Sequence, residues 1–242
     1  MMAVARPREV PTELRAAARA LDAGEPVLIF DAADREAETD MVFLSERATP
    51  EMIRLLRKDA GGLFCTAISD ELRARLGLPY FAELLRLAGP AYPLLPELAE
   101  RPRYDRRSAF GISINHRENF TGVPDNDRAL TIRTVGEIAR AAASLDDAAL
   151  RGRFARSFIS PGHVSLIQAA PGLLAERKGH TELVISLARM AGLSESVTVC
   201  EMLGDSGGAR DPAAARRYAD DHGFEFLEGR TLVEAWRAWA SA

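Results

Sequence analysis

The chain is poor in the residues that would mark several protein classes outright. Its 242 residues include only two cysteines, Cys65 and Cys200. Two cannot build a disulfide framework or a cysteine-rich zinc site, and they fit a reducing compartment. Aromatic residues make up 7%, and 31 basic residues face 35 acidic ones for a net charge of −4. That balance excludes a general pull toward nucleic acid or anionic membrane, and few aromatics leave little stacking platform for bases. No apolar run approaches the roughly 18 residues of a membrane span. The opening stretch MMAVARPREVPTELRAAARAL is interrupted by charges and lacks the apolar centre of a signal peptide. The expectation is a cytoplasmic protein without nucleic-acid or membrane partners.

What is present is an ordinary globular composition, 47% hydrophobic and 27% charged, long enough for one large layered domain or two small ones. Helical spacing of apolar residues predicts helices at PTELRAAARALDAGE, TPEMIRLLRKDAGG, DELRARLGL, TIRTVGEIARAAASL, HTELVISLARMAGL, AAARRYADDHG and TLVEAWRAWA. Thr49 before Pro50 reads as an N-cap and Gly192 as a stop. Short apolar runs predict strands at PVLIF, MVFLSE, LFCTAIS, FGISIN, SVTVCEML and FEFLE. The stretch 80–107, set among prolines 79, 90, 93, 96 and 102, reads as irregular. Pro161-Gly162 and Pro171-Gly172 read as breaks between short strands. Helices and strands alternate without repeats or a long linker, which points to one layered α/β or α+β domain.

Several groups carry chemistry. DAADREAETD places Asp31, Asp34, Glu36, Glu38 and Asp40 between two strands. As a solvated turn it would mean nothing. In an extended segment, however, Glu36 and Glu38 point the same way, and paired oxygen ligands suit Mg²⁺. RKGHTE sets Arg177, Lys178, Gly179, His180 and Thr181 at a helix start, where backbone N–H groups favour an anion such as phosphate; the plain alternative is a helix cap. His163, after Pro-Gly, is either a turn residue or an acid–base with a pKa near neutrality. Glu201 stands in the otherwise apolar VTVCEML, where a carboxylate has to be paired or functional. Cys65 reads first as a small buried core residue. Thr121, Asp127 and Arg128 precede a helix.

Taken in order, these motifs resemble the 3,4-dihydroxy-2-butanone 4-phosphate synthase family. D-R-E-x-E-x-D is Asp34 to Asp40, T-G-x-x-x-x-D-R is Thr121 to Arg128, and P-G-H-V is Pro161 to Val164. R-x-G-H-T-E is Arg177 to Glu182, and A-G-L…C-E runs from Ala191 to Glu201. Thr39 replaces a common glycine and Ser160 a common arginine, a pattern closer to the stand-alone archaeal branch. The resemblance implies an α+β fold: a three-layer single domain over 1–242, with a mixed twisted sheet between helical layers. It implies the conversion of D-ribulose 5-phosphate to L-3,4-dihydroxybutan-2-one 4-phosphate and formate for riboflavin biosynthesis. It implies a homodimer and Mg²⁺ or Mn²⁺, two ions per site, with Glu36 and His180 as metal ligands. His163, Glu201, Glu38 and Cys65 form the candidate catalytic set. Arg35, Glu36, Asp40, Thr121, Asp127, Arg177, Lys178, Gly179, His180, Thr181 and Glu201 are the candidate substrate contacts. Another metal-dependent sugar-phosphate enzyme, such as an isomerase, a nucleotide- or RNA-binding module and an inactive scaffold are the rival readings.

Overall fold

Four consecutive apolar residues, Val27–Phe30, have no polar face to offer water, and they form the nearly fully buried strand β1. Its antiparallel neighbour β2 (Thr39–Leu44) places Asp40 opposite Ile29. The structure, a computed structural model, describes residues 9–99, 102 and 105–241. The reading of the first eight residues and of part of the irregular stretch lies outside the described residues. The other strands are β3 (Cys65–Ile68), β4 (Phe110–His116), β5 (Phe158–Gln168), β6 (Ser196–Glu201) and β7 (Glu225–Glu228). The helices are α1 (Arg15–Ala23), α2 (Pro50–Asp59), α3 (Asp70–Leu76), α4 (Phe81–Leu87), α5 (Leu95–Leu98), α6 (Asp125–Ala141), α7 (Asp147–Ser157), α8 (His180–Ala191), α9 (Pro212–His222) and α10 (Gly229–Ser241).

The seven strands form one mixed sheet in the order β4-β5-β3-β6-β2-β1-β7. β3 runs parallel to β5 and β1 parallel to β7; the other pairs are antiparallel. One apolar core joins Leu21, Ile29, Val42, Leu183, Leu187, Val199 and Leu232, so α1, α8 and α10 cover one face. A second joins Met41, Phe43, Ile53, Ile132, Cys200 and Ala215, so α2, α6 and α9 cover the other. The fold is the expected three-layer α+β domain. Alternation along the strands sorts the cysteines: Cys65 faces α8, and Cys200 faces the opposite layer.

Local signals mostly hold. Thr49 Oγ1 accepts the Met52 N–H at 3.3 Å and caps α2. Three expectations need correction. The proline-rich stretch contains α4 and α5, because Tyr80 and Glu83 box the start of α4 and Pro96 sits in the first turn of α5, where its missing N–H does no harm. Asp125, Asn126 and Asp127 are the first turn of α6 rather than a preceding turn. Pro161-Gly162 does not end a strand. β5 continues through a cis Ser160–Pro161 bond, and the register against β4 jumps from Ile159 opposite Asn115 to Val164 opposite Ile114. The proline sits in that bulge, where no ladder bond is asked of it.

Candidate active site

The strand ends decide where the chemistry collects. β1 ends and β2 begins at the acidic loop, β6 ends at Glu201, and β3 begins at Cys65. The register sets Asp40 opposite Glu201. α8 starts over the same end with His180.

The loop is folded, not extended. Asp31, buried at the end of β1, accepts the N–H groups of Glu36 and Glu38, one on each carboxylate oxygen, both at 3.1 Å. Ala37 takes a left-handed φ of 55°, which breaks the strand alternation. The extended segment on which Glu36 and Glu38 would point the same way is therefore corrected to a folded loop. Glu36 turns to His180, with Oε2 at 3.5 Å from Nδ1. Glu38 lies nearest in charge to Glu201: burial raises its carboxyl, and the charges of Glu201 and Glu36 raise it further.

His180 is buried, and its ring has a defined job on each nitrogen. Nε2 lies 3.1 Å from the Ile29 carbonyl, which can only accept, so Nε2 carries a proton. Nδ1 faces Glu36. In the neutral ring that leaves the Nδ1 lone pair toward the carboxylates. A histidine that ligates metal is commonly held in this way, with its other N–H on a backbone carbonyl. Asp31, Glu36 and His180 offer ligand atoms all within 4.8 Å of one another. Asp40 is buried 3.5 Å from His180 Nε2, and its Oδ1 has no hydrogen-bond partner. Burial, against the pull of His180, pushes Asp40 up to about 8. Burial alone would lower His180, but the charge of Asp40 and the hydrogen bond to Glu36 outweigh it and carry His180 up to about 9. Glu36 is held below its ordinary value by the hydrogen bond to His180. This excess of buried carboxylate around one histidine suits a divalent cation.

Next to the carboxylates stands a pair of arginines. Asp105 accepts from Arg35 Nη2 at 3.0 Å and from Arg177 Nε at 2.8 Å. Arg177 Nη1 also donates to the fully buried Glu182 at 2.6 Å. A cavity of about 490 Å³ opens beside them, bounded by Asp31, Arg35, Arg177 and Lys178. Lys178 is exposed, whereas Gly179 and Thr181 are buried at the start of α8. A larger cleft of about 600 Å³ lies at the other end of the sheet, but its Arg75 and Glu195 are already paired with Asp147 and Arg189.

The sequence candidates thus divide. Arg35, Glu36, Glu38, Asp40, Cys65, Arg177, His180, Thr181 and Glu201 converge at one sheet end. Glu201, expected inside a buried strand, sits at its partly exposed end. His163 is exposed on β5, two residues before Ser165, the register partner of Cys65. Two strand spacings, about 10 Å, separate its strand from Glu201's. Thr121 and Asp127 make no contact with the acidic cluster among the described residues; Asp127 accepts the N–H groups of Thr121 and Gly122 at 3.2 and 2.8 Å. Sequence reasoning missed Asp31 as the loop's anchor, Asp105, and Asn115, which bonds His163. Asp105 lies in a polar stretch with no local signal. Asn115 stood at the end of the predicted strand FGISIN, where nothing singled it out.

Fold and site together define a class: a layered α+β domain with a carboxylate–histidine cluster at one sheet end, beside an arginine pair joined by Asp105. The model of the family described as 3,4-dihydroxy-2-butanone 4-phosphate synthase matches residues 15–235. Curated relatives carry that same name. One from Methanosarcina mazei is 44% identical over 93% of this chain and 91% of its own length. One from Methanothermobacter thermautotrophicus is 43% identical over 96% of this chain and all of its own. A Mycobacterium tuberculosis riboflavin biosynthesis protein is 33% identical, with 44% of its length covered. The Candida albicans synthase structure superposes with a TM-score of 0.68 at 29% identity, covering 94% of this chain and 97% of that one. A synthase structure in complex with two magnesium ions has the same fold, at a TM-score of 0.68 and 23% identity over 89% of this chain and 92% of that one. The chain belongs to the 3,4-dihydroxy-2-butanone 4-phosphate synthase family.

Proposed function

We propose that the chain, acting over residues 1–242 as one catalytic unit and as a cytoplasmic homodimer, converts D-ribulose 5-phosphate to L-3,4-dihydroxybutan-2-one 4-phosphate and formate for riboflavin biosynthesis. The observation that carries this reading is His180, held by the Ile29 carbonyl on one nitrogen and facing Glu36 with the other, beside the buried Asp40. Glu36 and His180 are the metal ligands. A bound Mg²⁺ or Mn²⁺, two ions per site, would supply Lewis acidity where negative charge develops on adjacent substrate oxygens; the family's magnesium-bound structure supports magnesium.

The chain's own residues do the rest. Arg177, Lys178, Thr181 and the backbone at Gly179 hold the phosphate at the start of α8, with Arg35 beside them. That grip fixes the reacting carbons, so binding energy becomes orientation. Asp40 takes the sugar hydroxyls; with its carboxyl near 8 it can donate as well as accept. His163 and Glu201 move protons during enolisation and loss of water. Glu38, its carboxyl raised by burial and by the charge of Glu201, is a further acid–base group, and Cys65 lines the floor. Thr121 reaches substrate from its loop, which Asp127 shapes. No oxidant is needed: the carbon skeleton rearranges, C4 leaves as formate, and the two products together contain the atoms of the substrate. For the dimer, the edge strand β4 and the adjacent segments expose Phe110, Ile159 and Phe120 (42%, 45% and 97%), an apolar surface that association would cover.

The test is incubation with ribulose 5-phosphate, with Mg²⁺ or with chelator, followed by carbon NMR. Mg²⁺-dependent formate with a four-carbon ketone phosphate is expected. An isomerised pentose phosphate, or no turnover by folded, metal-loaded protein, would overturn the assignment.

A further inference from the structure

Asn115, on β4, is 8% exposed and makes two bonds to one residue. Its Oδ1 accepts the backbone N–H of His163 at 2.9 Å, and its Nδ2 lies 3.1 Å from His163 Nδ1. The first bond settles the second. A backbone N–H only donates, so the amide oxygen has to face it. The amide nitrogen then faces the ring, and an amide NH₂ also only donates. His163 Nδ1 must therefore present its lone pair, and the ring proton sits on Nε2, which has no hydrogen-bond partner among the described residues. A ring protonated on Nδ1 would set N–H against N–H.

A second contact points the same way. Gly122 has a φ of 87°, and a Cβ there would run into the side chain of Asn115. The loop that presses on Asn115 is pinned in turn by Asp127, through the N–H groups of Thr121 and Gly122. The Thr121–Asp127 motif, remote from the acidic cluster, backs the amide that grips His163. The β5 bulge at Pro161-Gly162 brings the His163 N–H within reach of it.

We propose that Asn115 is a positioning residue: it locks His163 in the Nε2–H tautomer and so selects Nε2 as the nitrogen that exchanges protons with substrate. This rests on the reading of His163 as an acid–base, and it concerns the ring before any substrate arrives. The test is long-range proton–nitrogen NMR of the histidine rings in ¹⁵N-labelled full-length protein, with His163 assigned by its loss in His163→Gln. In the unmodified protein Nδ1 should show the shift of a bare nitrogen and Nε2 that of a protonated one. Asn115→Asp, nearly isosteric, offers Nδ1 an acceptor. It should move the proton to Nδ1 and lower kcat by about 100-fold, the scale of one lost acid–base contribution, with KM unchanged. A proton on Nδ1 in the unmodified protein would overturn the proposal without any variant having to fold. An Asn115→Asp enzyme with the reversed tautomer and full turnover would overturn the positioning role. If His163→Gln turns over at full rate, the acid–base reading of His163 fails, while the spectra still decide the tautomer.

Discussion

Replacing Glu182 with leucine asks what holds the start of α8. Both carboxylate oxygens of this fully buried side chain are used. Oε1 accepts the Ala170 N–H at 2.9 Å and Oε2 accepts from Arg177 at 2.6 Å. Leucine fills the volume but leaves a buried N–H and one side of a guanidinium unpaired. An orphaned buried N–H costs about 1–3 kcal/mol, and removing one partner of a buried ion pair about 3–5 kcal/mol. The two overlap, since one carboxylate serves both. Arg177 also keeps Asp105 and is 18% exposed, which favours the lower end. The expected loss is about 3 kcal/mol, or about 6–12 °C in Tm for a chain of this size. Burial raises the Glu182 carboxyl against the pull of Arg177, so the intact pair contributes little by itself; the loss comes from the partners left behind. Urea and thermal denaturation at neutral pH measure it. Glu228→Gln is the control, because its 2.6 Å bond to Arg216 is exposed on both sides and should be worth about 0–1 kcal/mol. If Glu182→Leu lost no more than that control, the reasoning would be refuted and Asp105 alone would be the anchor of Arg177.

Asp40 and His180 both hold protons more tightly in the folded, metal-free protein, at about 8 and about 9. Their contributions are full below the unfolded values and are lost as pH rises through the folded ones, so stability in chelator should fall from pH 6 to 9. Magnesium should reverse the fall and release protons, as a pH indicator would read; a flat profile would refute the raised values, and magnesium binding without proton release would exclude His180 as a ligand. Cys65 and Cys200 are buried thiols pushed up to about 12 by burial, so a thiol reagent at pH 8 should label neither until urea unfolds the chain, and fast native labelling would contradict their burial. Asp105→Asn removes the anion shared by Arg35 and Arg177. Inorganic phosphate should then inhibit about tenfold more tightly, the equivalent of ~1.4 kcal/mol, and unchanged inhibition would mean that these arginines do not meet phosphate.

Local chemistry was legible wherever one short stretch decided the outcome. The apolar run at Val27–Phe30, the Thr49 cap and the amphipathic helix ending at Gly192 all appear where the pattern sets them. So do most residues of the acidic cluster, because their motifs end on strands that the sheet aligns. The failures share a cause. Helix α7 was unread because Gly152 and scattered arginines blur its apolar face. The fold of the loop between Glu36 and Glu38 depends on the φ of Ala37, which alanine does not advertise. Asp31, Asp105 and Asn115 act through partners 5 to 72 positions away. The Asp105 and Asn115 pairings exist only once the sheet order exists, and the Asp31 bonds need the folded loop that its own stretch does not announce.

The two sides of the proposed metal pocket differ in how firmly they are built. His180 opens a helix with ten of its twelve residues buried, packed between the sheet and α10. Its amides should be among the slowest in the molecule to exchange with deuterated water, opening only when the whole domain does. The carboxylates come from a short loop outside the helices, tied by the bonds to Asp31, by turns on the Ala32 carbonyl and by the Arg35–Asp105 pair. Cation binding should therefore register as new exchange protection at residues 32–38, with α8 unchanged. In the proposed site the helix is the fixed jaw, and the loop is the one expected to tighten when magnesium is added.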